Sequence, residues 1–251
     1  MHYRKPQHPK LDRWEHRQSW AARLVALGLL LLLGALAIGL ADRTVPRQHL
    51  PWKALSLSDP LGLATRIKLR DIGQTCRQTL SQGDVTFTEE PDSAEGDDCR
   101  VRDAVILTSG IAPLHPQAVM MCRQALAFAE WERQIVQPRA QELLGSPVVS
   151  MEQYGAYQCR RRYGREDQPI SEHALADAVD VGVFTLADGR HISVADDWTD
   201  AGPRGVFLHA VRDQACAIFS TVLSPDYNTE HHNHLHLDMM PLEAGRGRFC
   251  H

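Results

Sequence analysis

Two short stretches bring together side chains able to hold a metal or to move a proton near neutral pH. The first is Ser171-Glu172-His173-Ala174-Leu175-Ala176-Asp177-Ala178-Val179-Asp180, and the second is Glu230-His231-His232-Asn233-His234-Leu235-His236-Leu237-Asp238. If the second is a strand, side chains alternate between faces, and His234, His236 and Asp238 point the same way. His173 and Asp180 are an odd number of residues apart and would oppose each other in one straight strand. His173 is therefore expected on a loop leading into a strand that begins near Ala178. Three nitrogen and oxygen ligands with an open fourth position are the arrangement of catalytic zinc, which must hold and acidify a water. His173, Asp180 and one of the later histidines can supply that set. The competing reading is a histidine-rich surface loop that binds metal loosely or not at all.

The elements that must position these residues follow from periodicity. Strand-like runs occupy Ala104–Thr108, Pro147–Tyr157, Ala178–Leu186, His191–Ala195 and His234–Met240,. Asp188-Gly189 between two of them is a hairpin signal. Val119, Cys122, Leu126 and Ala129 share one helical stripe in a helix that starts near His115 and ends or kinks near Gln137, ahead of Pro138,. Phe207, Val211, Ala215, Ile218 and Val222 predict a second helix from about Gly205 to Leu223. Together these give an α+β domain, a small antiparallel or mixed sheet flanked by helices.

The chain has 251 residues, 43% hydrophobic and 23% charged, which suits one domain with a core plus accessory segments,. A net charge of −4 provides no basic field for nucleic acid, and no nucleic-acid partner is expected,. Leu24 to Ala41 runs for eighteen residues without a charge, after a segment rich in Arg and Lys. With Trp20, Ala21 and Ala22 it is long enough to cross a bilayer of ~30 Å hydrocarbon thickness. The chain divides into a basic cytoplasmic tail (1–19), a transmembrane anchor (20–41), a proline-containing tether (42–75) and a folded domain (76–251). A retained anchor is favoured over a cleaved signal peptide because the apolar stretch is long. The basic flank stays cytoplasmic, which sends the domain outward, where its six cysteines can pair in any of fifteen ways,. Thr88 to Asp98 is expected to be a surface loop.

Ser171-x-His173-x-x-Ala176-x-Ala178-x-Asp180 resembles the S-x-H-x-x-G-x-A-x-D signature of D-alanyl-D-alanine carboxypeptidase-type zinc peptidases, and His234-x-His236 resembles their H-x-H motif. Lysostaphin-type endopeptidases and the hedgehog signalling domain belong to the same superfamily. Further motifs are Tyr157-Gln-Cys159-Arg160, Ala187-Asp-Gly-Arg190, Phe207-Leu, Ala215-Cys216, Val222-Leu223-Ser-Pro225 and His234-Leu-His236-Leu-Asp238. With these the chain is similar to the extensin-like carboxy-terminal domain family of bacterial envelope proteins, over about Cys76 to Cys250. The resemblance implies that His173, Asp180 and His236 hold Zn2+ and that His234 lines the site. It offers Glu230 as general base, while Asn233 stands where carboxypeptidase members keep an acid, so His231 or His234 can serve instead. Arg160 falls where such peptidases keep an arginine for the substrate's carbonyl or carboxylate. Ala176 replaces the family glycine and costs roughly 1 kcal/mol if the position needs positive φ. Ser171 is expected to support the turn carrying His173.

The function so implied is a membrane-anchored, envelope-facing zinc metallopeptidase acting on peptide bonds of peptidoglycan, with its stem peptides as partners. It would sit in the bacterial inner membrane, single-pass, with the amino terminus cytoplasmic and the domain in the periplasm. The alternative is a non-catalytic, metal-stabilised domain that binds cell-wall peptides, for which hedgehog is the precedent.

Overall fold

The computed structural model describes residues 9–50, 52–70, 72–83, 85–96, 98–242 and 247–251. Two compact units divide at Trp52/Lys53. The first is dominated by helix α1 (Pro9–Thr44). Within it Trp20–Thr44 has a mean hydropathy of 2.7 and no buried residue, so this one helix can span a membrane,. Of the expected basic tail, residues 1–8 lie outside the described residues, and from Pro9 the backbone is already helical.

The second unit carries the chemistry. It begins with α2 (Leu63–Arg70) and α3 (Cys76–Gln82), followed by strands β1 (Thr86–Glu90), β2 (Ser93–Glu95), β3 (Cys99–Val101), β4 (Ala104–Ser109) and β5 (Pro113–Met121). Helix α4 (Cys122–Trp131), a wide π turn (Glu132–Val136) and α5 (Gln137–Leu144) come next. Then follow β6 (Val148–Gly155), β7 (Ala178–Leu186), β8 (His191–Ser193), α6 (Val194–Asp197), α7 (Pro203–Ala215), β9 (Thr221–Leu223), β10 (Leu235–Asp238) and β11 (Phe249–Cys250). Nine strands form one mixed sheet in the order β1-β4-β5-β6-β7-β10-β9-β11, with β8 paired to β7. The β5–β6 and β9–β11 pairs are parallel and the others antiparallel. The unit is thus α+β with a mixed sheet, larger than the small sheet the sequence suggested.

Helix α4 is the centre of the core, with Leu126, Phe128 and Trp131 fully buried. The Trp131 ring meets Phe128, Phe184 and Phe219 at centroid distances of 5.6, 6.1 and 6.4 Å, and its indole N–H donates to Val211 O at 3.0 Å,. Gln124 Nε2 donates to Leu237 O at 2.9 Å, tying α4 to β10. All six cysteines are paired, as Cys76–Cys122, Cys99–Cys159 and Cys216–Cys250. Three disulfides point to an oxidising compartment.

Several expectations are corrected. The segment read as a tether contributes core from Lys53 onward, because Leu55, Leu57, Leu69 and Ile72 are buried in the main cluster. Their short spacings were diluted by the surrounding prolines and polar groups. The loop expected over Thr88–Asp98 holds most of β1 and all of β2. The helix expected from His115 starts only at Cys122. Residues Leu114, Ala118 and Met120, an even number of positions apart, are instead the buried face of β5,. Pro138 does not end the helical run but stands just after its irregular π turn (Glu132–Val136), in the first turn of α5, where its missing N–H is tolerated,. The second helix stops at Ala215, and Val222 belongs to β9. The His191–Ala195 strand ends at Ser193, whose side chain caps α6 by accepting from Asp196 N,. Strand β7 has the expected limits, and Gly189 at φ 86° turns the chain into β8.

Glu130 on α4 is fully buried, and neither carboxylate oxygen has a well-formed hydrogen bond although Gln134 is near. Burial pushes its pKa up to about 8 from 4.5,. Between those values the folded state keeps a proton that the unfolded chain has released, so stability falls as pH rises through that window. Each unit of such a shift corresponds to ~1.4 kcal/mol. Glu130→Gln keeps the shape without the charge. Unfolding temperatures of the full-length protein at pH 5 and pH 8 should fall between the two for wild type and clearly less for the variant. Parallel pH profiles would overturn the assignment.

Candidate metal centre

Strand pairing sets the site. In the antiparallel β7–β10 ladder His236 stands directly opposite Asp180, and Asp238 opposite Ala178. Directly opposed residues share a face, so His236 and Asp180 meet. His173 arrives from a turn, Glu172–Leu175, just ahead of β7, where its odd spacing from Asp180 placed it. Ser171 Oγ accepts from His173 N at 3.4 Å and caps this turn. Ala176 follows at φ 56° and ψ 27°, the left-handed conformation that turns the chain into β7,.

The hydrogen bonds around the three side chains decide which atoms face inward. Ring nitrogen Nδ1 of His173 lies 2.7 Å from Ala156 O, a pure acceptor, so Nδ1–H donates and Nε2 keeps its lone pair,. In His236, Nε2 lies 3.1 Å from Asp238 Oδ2 and Nδ1 lies 2.9 Å from Asp180 Oδ1; with Nε2–H donating to Asp238, Nδ1 is the atom that holds either a proton shared with Asp180 or, with its lone pair, a metal ion,. These two inward nitrogens are 3.1 Å apart. Asp180 places Oδ1 2.9 Å from His236 Nδ1 and Oδ2 3.2 Å from His173 Nε2. One ligand atom from each residue lies within 4.8 Å of the others, and all three residues are buried. Two nitrogen lone pairs aimed at each other beside a carboxylate are repulsive unless a cation or a proton lies between them. The group can therefore hold a metal ion, and the outward hydrogen bonds are the kind that orient metal-binding imidazoles.

Charge tells the same story. Burial alone would raise the Asp180 carboxyl, but His173 and His236 override it and hold it well below the usual carboxylate range. Burial likewise disfavours the His236 cation, yet hydrogen bonds to Asp180 and Asp238 push its pKa up to about 10. The cluster stabilises one positive charge at its centre.

The remaining candidates line the same cleft, of about 890 Å³. Asn228 Oδ1 accepts from His231 Nδ1 at 2.5 Å, and Asn233 Oδ1 accepts from His234 Nδ1 at 2.8 Å, so each ring turns a lone-pair Nε2 inward. His234 Nε2 is 3.5 Å from Asp180 Oδ1. The His231 ring lies 5.2 Å from that of His234 and 5.8 Å from that of His236, centroid to centroid. Burial, with His236 and His234 nearby, takes the His231 pKa down to about 4, and burial lowers that of His234. Glu230 is exposed on the cleft's wall, its carboxylate accepting from Thr229 Oγ1 at 3.4 Å. Arg160 lines the cleft half-buried and donates from Nε to Gln158 Oε1 at 3.0 Å.

Residues 74–251 match the family model of the extensin-like protein C-terminus. The chain belongs to this family. No curated protein and no solved structure matches the chain. In this extensin-like domain the group that can hold a metal, both asparagine-held histidines and Arg160 all fall inside the matched region.

Some contributions do not show in the sequence. Asn228, which no motif marks, and Asn233, noted there only as standing in an acid's place, orient histidines, and Asp238, placed on the right face by its spacing, pairs with His236 Nε2. Asp177, inside the first motif, is fully buried and paired with Arg123; burial lifts its pKa to about 6 against that pairing. Its carbonyl accepts from Met239 N at 3.2 Å and ties the end of β10 to the ligand loop.

Ala176 tests how far the loop tolerates strain. Its methyl is fully buried. Replacement by Gly relieves a left-handed alanine worth ~1 kcal/mol but loses a buried carbon worth ~0.8 kcal/mol, so stability should change by less than ~1 kcal/mol. A β-branched residue is a true outlier in this conformation, and Ala176→Val should cost ~2 kcal/mol or more. Denaturation midpoints of the two variants check both statements, and equal midpoints would contradict them.

Proposed function

We propose that this extensin-like domain is a zinc metallopeptidase, held in a bacterial inner membrane with its domain in the periplasm, that hydrolyses peptide bonds of peptidoglycan stem peptides. The observation that carries the reading is the convergence of His173 Nε2, His236 Nδ1 and Asp180 on one point at the wall of a cleft. Two imidazoles and one carboxylate are a donor set suited to Zn2+, which when bound supplies Lewis acidity and lowers the pKa of water.

The chain's own groups account for the rest. His231 and His234 are neutral at pH 7, with lone pairs turned inward by their asparagines, and either can take a proton from the attacking water,. Glu230 is the weaker candidate, because its exposed carboxylate is well solvated. Arg160 offers a planar fork to the substrate's carbonyl or terminal carboxylate. Helix α1 supplies the anchor, its basic amino-terminal side facing the cytoplasm, and the disulfides suit the periplasm,.

Zinc content and muropeptide cleavage of the full-length protein in detergent test the reading, beside His173→Ala, His231→Ala, His234→Ala and Glu230→Gln. Stoichiometric zinc and cleavage are expected in wild type. His173→Ala should lose both. One of the two other histidine variants should keep zinc while cleavage drops by ~10²- to 10⁴-fold, with Glu230→Gln within a few-fold of wild type. Zinc without cleavage of any wall substrate would leave a cell-wall peptide-binding domain, and absence of zinc would overturn the metal centre.

A further inference from the structure

The cleft carries polar groups the proposed chemistry does not use. Glu172 is 8% exposed and Thr221 7% exposed, both line the cleft, and Glu172 Oε2 and Thr221 Oγ1 are buried without a hydrogen-bond partner among the described residues. A buried polar atom left unpaired costs the full loss of its hydration, and a carboxylate oxygen and a hydroxyl, both able to accept, leave two acceptors for a donor at this cleft wall.

Their positions relate through β10. Thr221 on β9 stands directly opposite Asp238, on the face that also carries His236, while Leu223 stands opposite His236. Glu172 feels the charges of Asp238 and Asp177 most strongly among the acids around it. Three carboxyls thus gather here, but two are already committed. Asp177 gives both oxygens to Arg123, and Asp238 gives one to His236 Nε2 and the other to Met240 N. Glu172 alone keeps a free oxygen, and Arg162 Nη2 stays 4.0 Å from its other oxygen while also contacting Met240 Sδ at 3.5 Å. Among the described residues the metal-binding group is confined to His173, Asp180 and His236, so these acids do not form a second metal site.

We infer that Glu172 and Thr221 form a subsite for a primary ammonium group of the substrate, next to the metal centre. An ammonium is compact and has three N–H donors for a carboxylate oxygen, a hydroxyl and a third neighbour. This specificity rests on reading the cleft as a peptide-binding site and names what the bound peptide must carry: a free amine near the bond presented to the metal.

Binding can be tested apart from hydrolysis. Full-length protein in detergent, stripped of metal by a chelator, is titrated calorimetrically with two synthetic tetrapeptides differing only in whether a lysine-type amine, adjacent to the carboxy-terminal residue, is free or acetylated. Wild type should bind the free amine roughly ten-fold more tightly, as expected for a charged hydrogen bond. In Glu172→Gln the ratio should fall to about one with affinity for the acetylated peptide unchanged, and Thr221→Val should reduce it several-fold. Equal or undetectable binding of the two peptides by wild type, or a preference that survives in Glu172→Gln, overturns the subsite. Zinc-loaded protein is then assayed for cleavage of the same pair. Cleavage of both without amine preference sinks the subsite and leaves the peptidase, whereas preferential binding without cleavage of either keeps the subsite and sinks the peptidase.

Discussion

One register holds the cleft together. With His236 opposite Asp180 and Asp238 opposite Ala178, the imidazole is caught between two carboxylates, one from the facing strand and one from its own. A slip of a single residue would turn His236 to the other side of the sheet and bring Leu235 or Leu237 to face the cleft. The apolar residues between the polar ones oppose such a slip, since Leu235 and Leu237 are fully buried in the core on the opposite face. Chemistry on one face is thus indexed by hydrophobic burial on the other.

The core extends that control beyond the two strands. Gln124 reaches from α4 to the Leu237 carbonyl, and Asp177 binds Met239 through its backbone and Arg123 through its side chain. Met121 N donates to Ala176 O at 2.6 Å, so the end of β5 also fixes the ligand loop. These ties connect residues far apart in sequence, and none of them touches the metal-binding atoms. They make the positions of His173 and Asp180 properties of the whole unit, which is how a turn with a left-handed alanine stays in place.

Much of the site was legible because its residues announce themselves locally. Alternation along β10 and the hinge required by the odd spacing of His173 and Asp180 follow from short-range geometry, whereas the left-handed conformation of Ala176 entered only as a condition attached to the resemblance. What stayed hidden depended on long-range packing. The arm from Lys53 to Ile72 reads as proline-broken linker, yet Leu55, Leu57 and Leu69 find the core. Leu114, Ala118 and Met120 have a strand's spacing, and β5 runs through the first residues of the helix expected from His115. Glu172 and Thr221 carry no motif of their own, and their unpaired oxygens become visible only once the strands are set side by side.

Asn233 occupies the place where an acid might have been expected, and Asn228 plays the same part for the neighbouring ring. A carboxylate in that position would do two things at once: aim the imidazole, and alter its basicity by an amount that changes as the acid itself gains or loses a proton. An amide separates the two. It has no proton to exchange near neutrality, so the aim of each ring is indifferent to acidity. These two rings keep their orientation across conditions under which an acid-held ring would be free to swing.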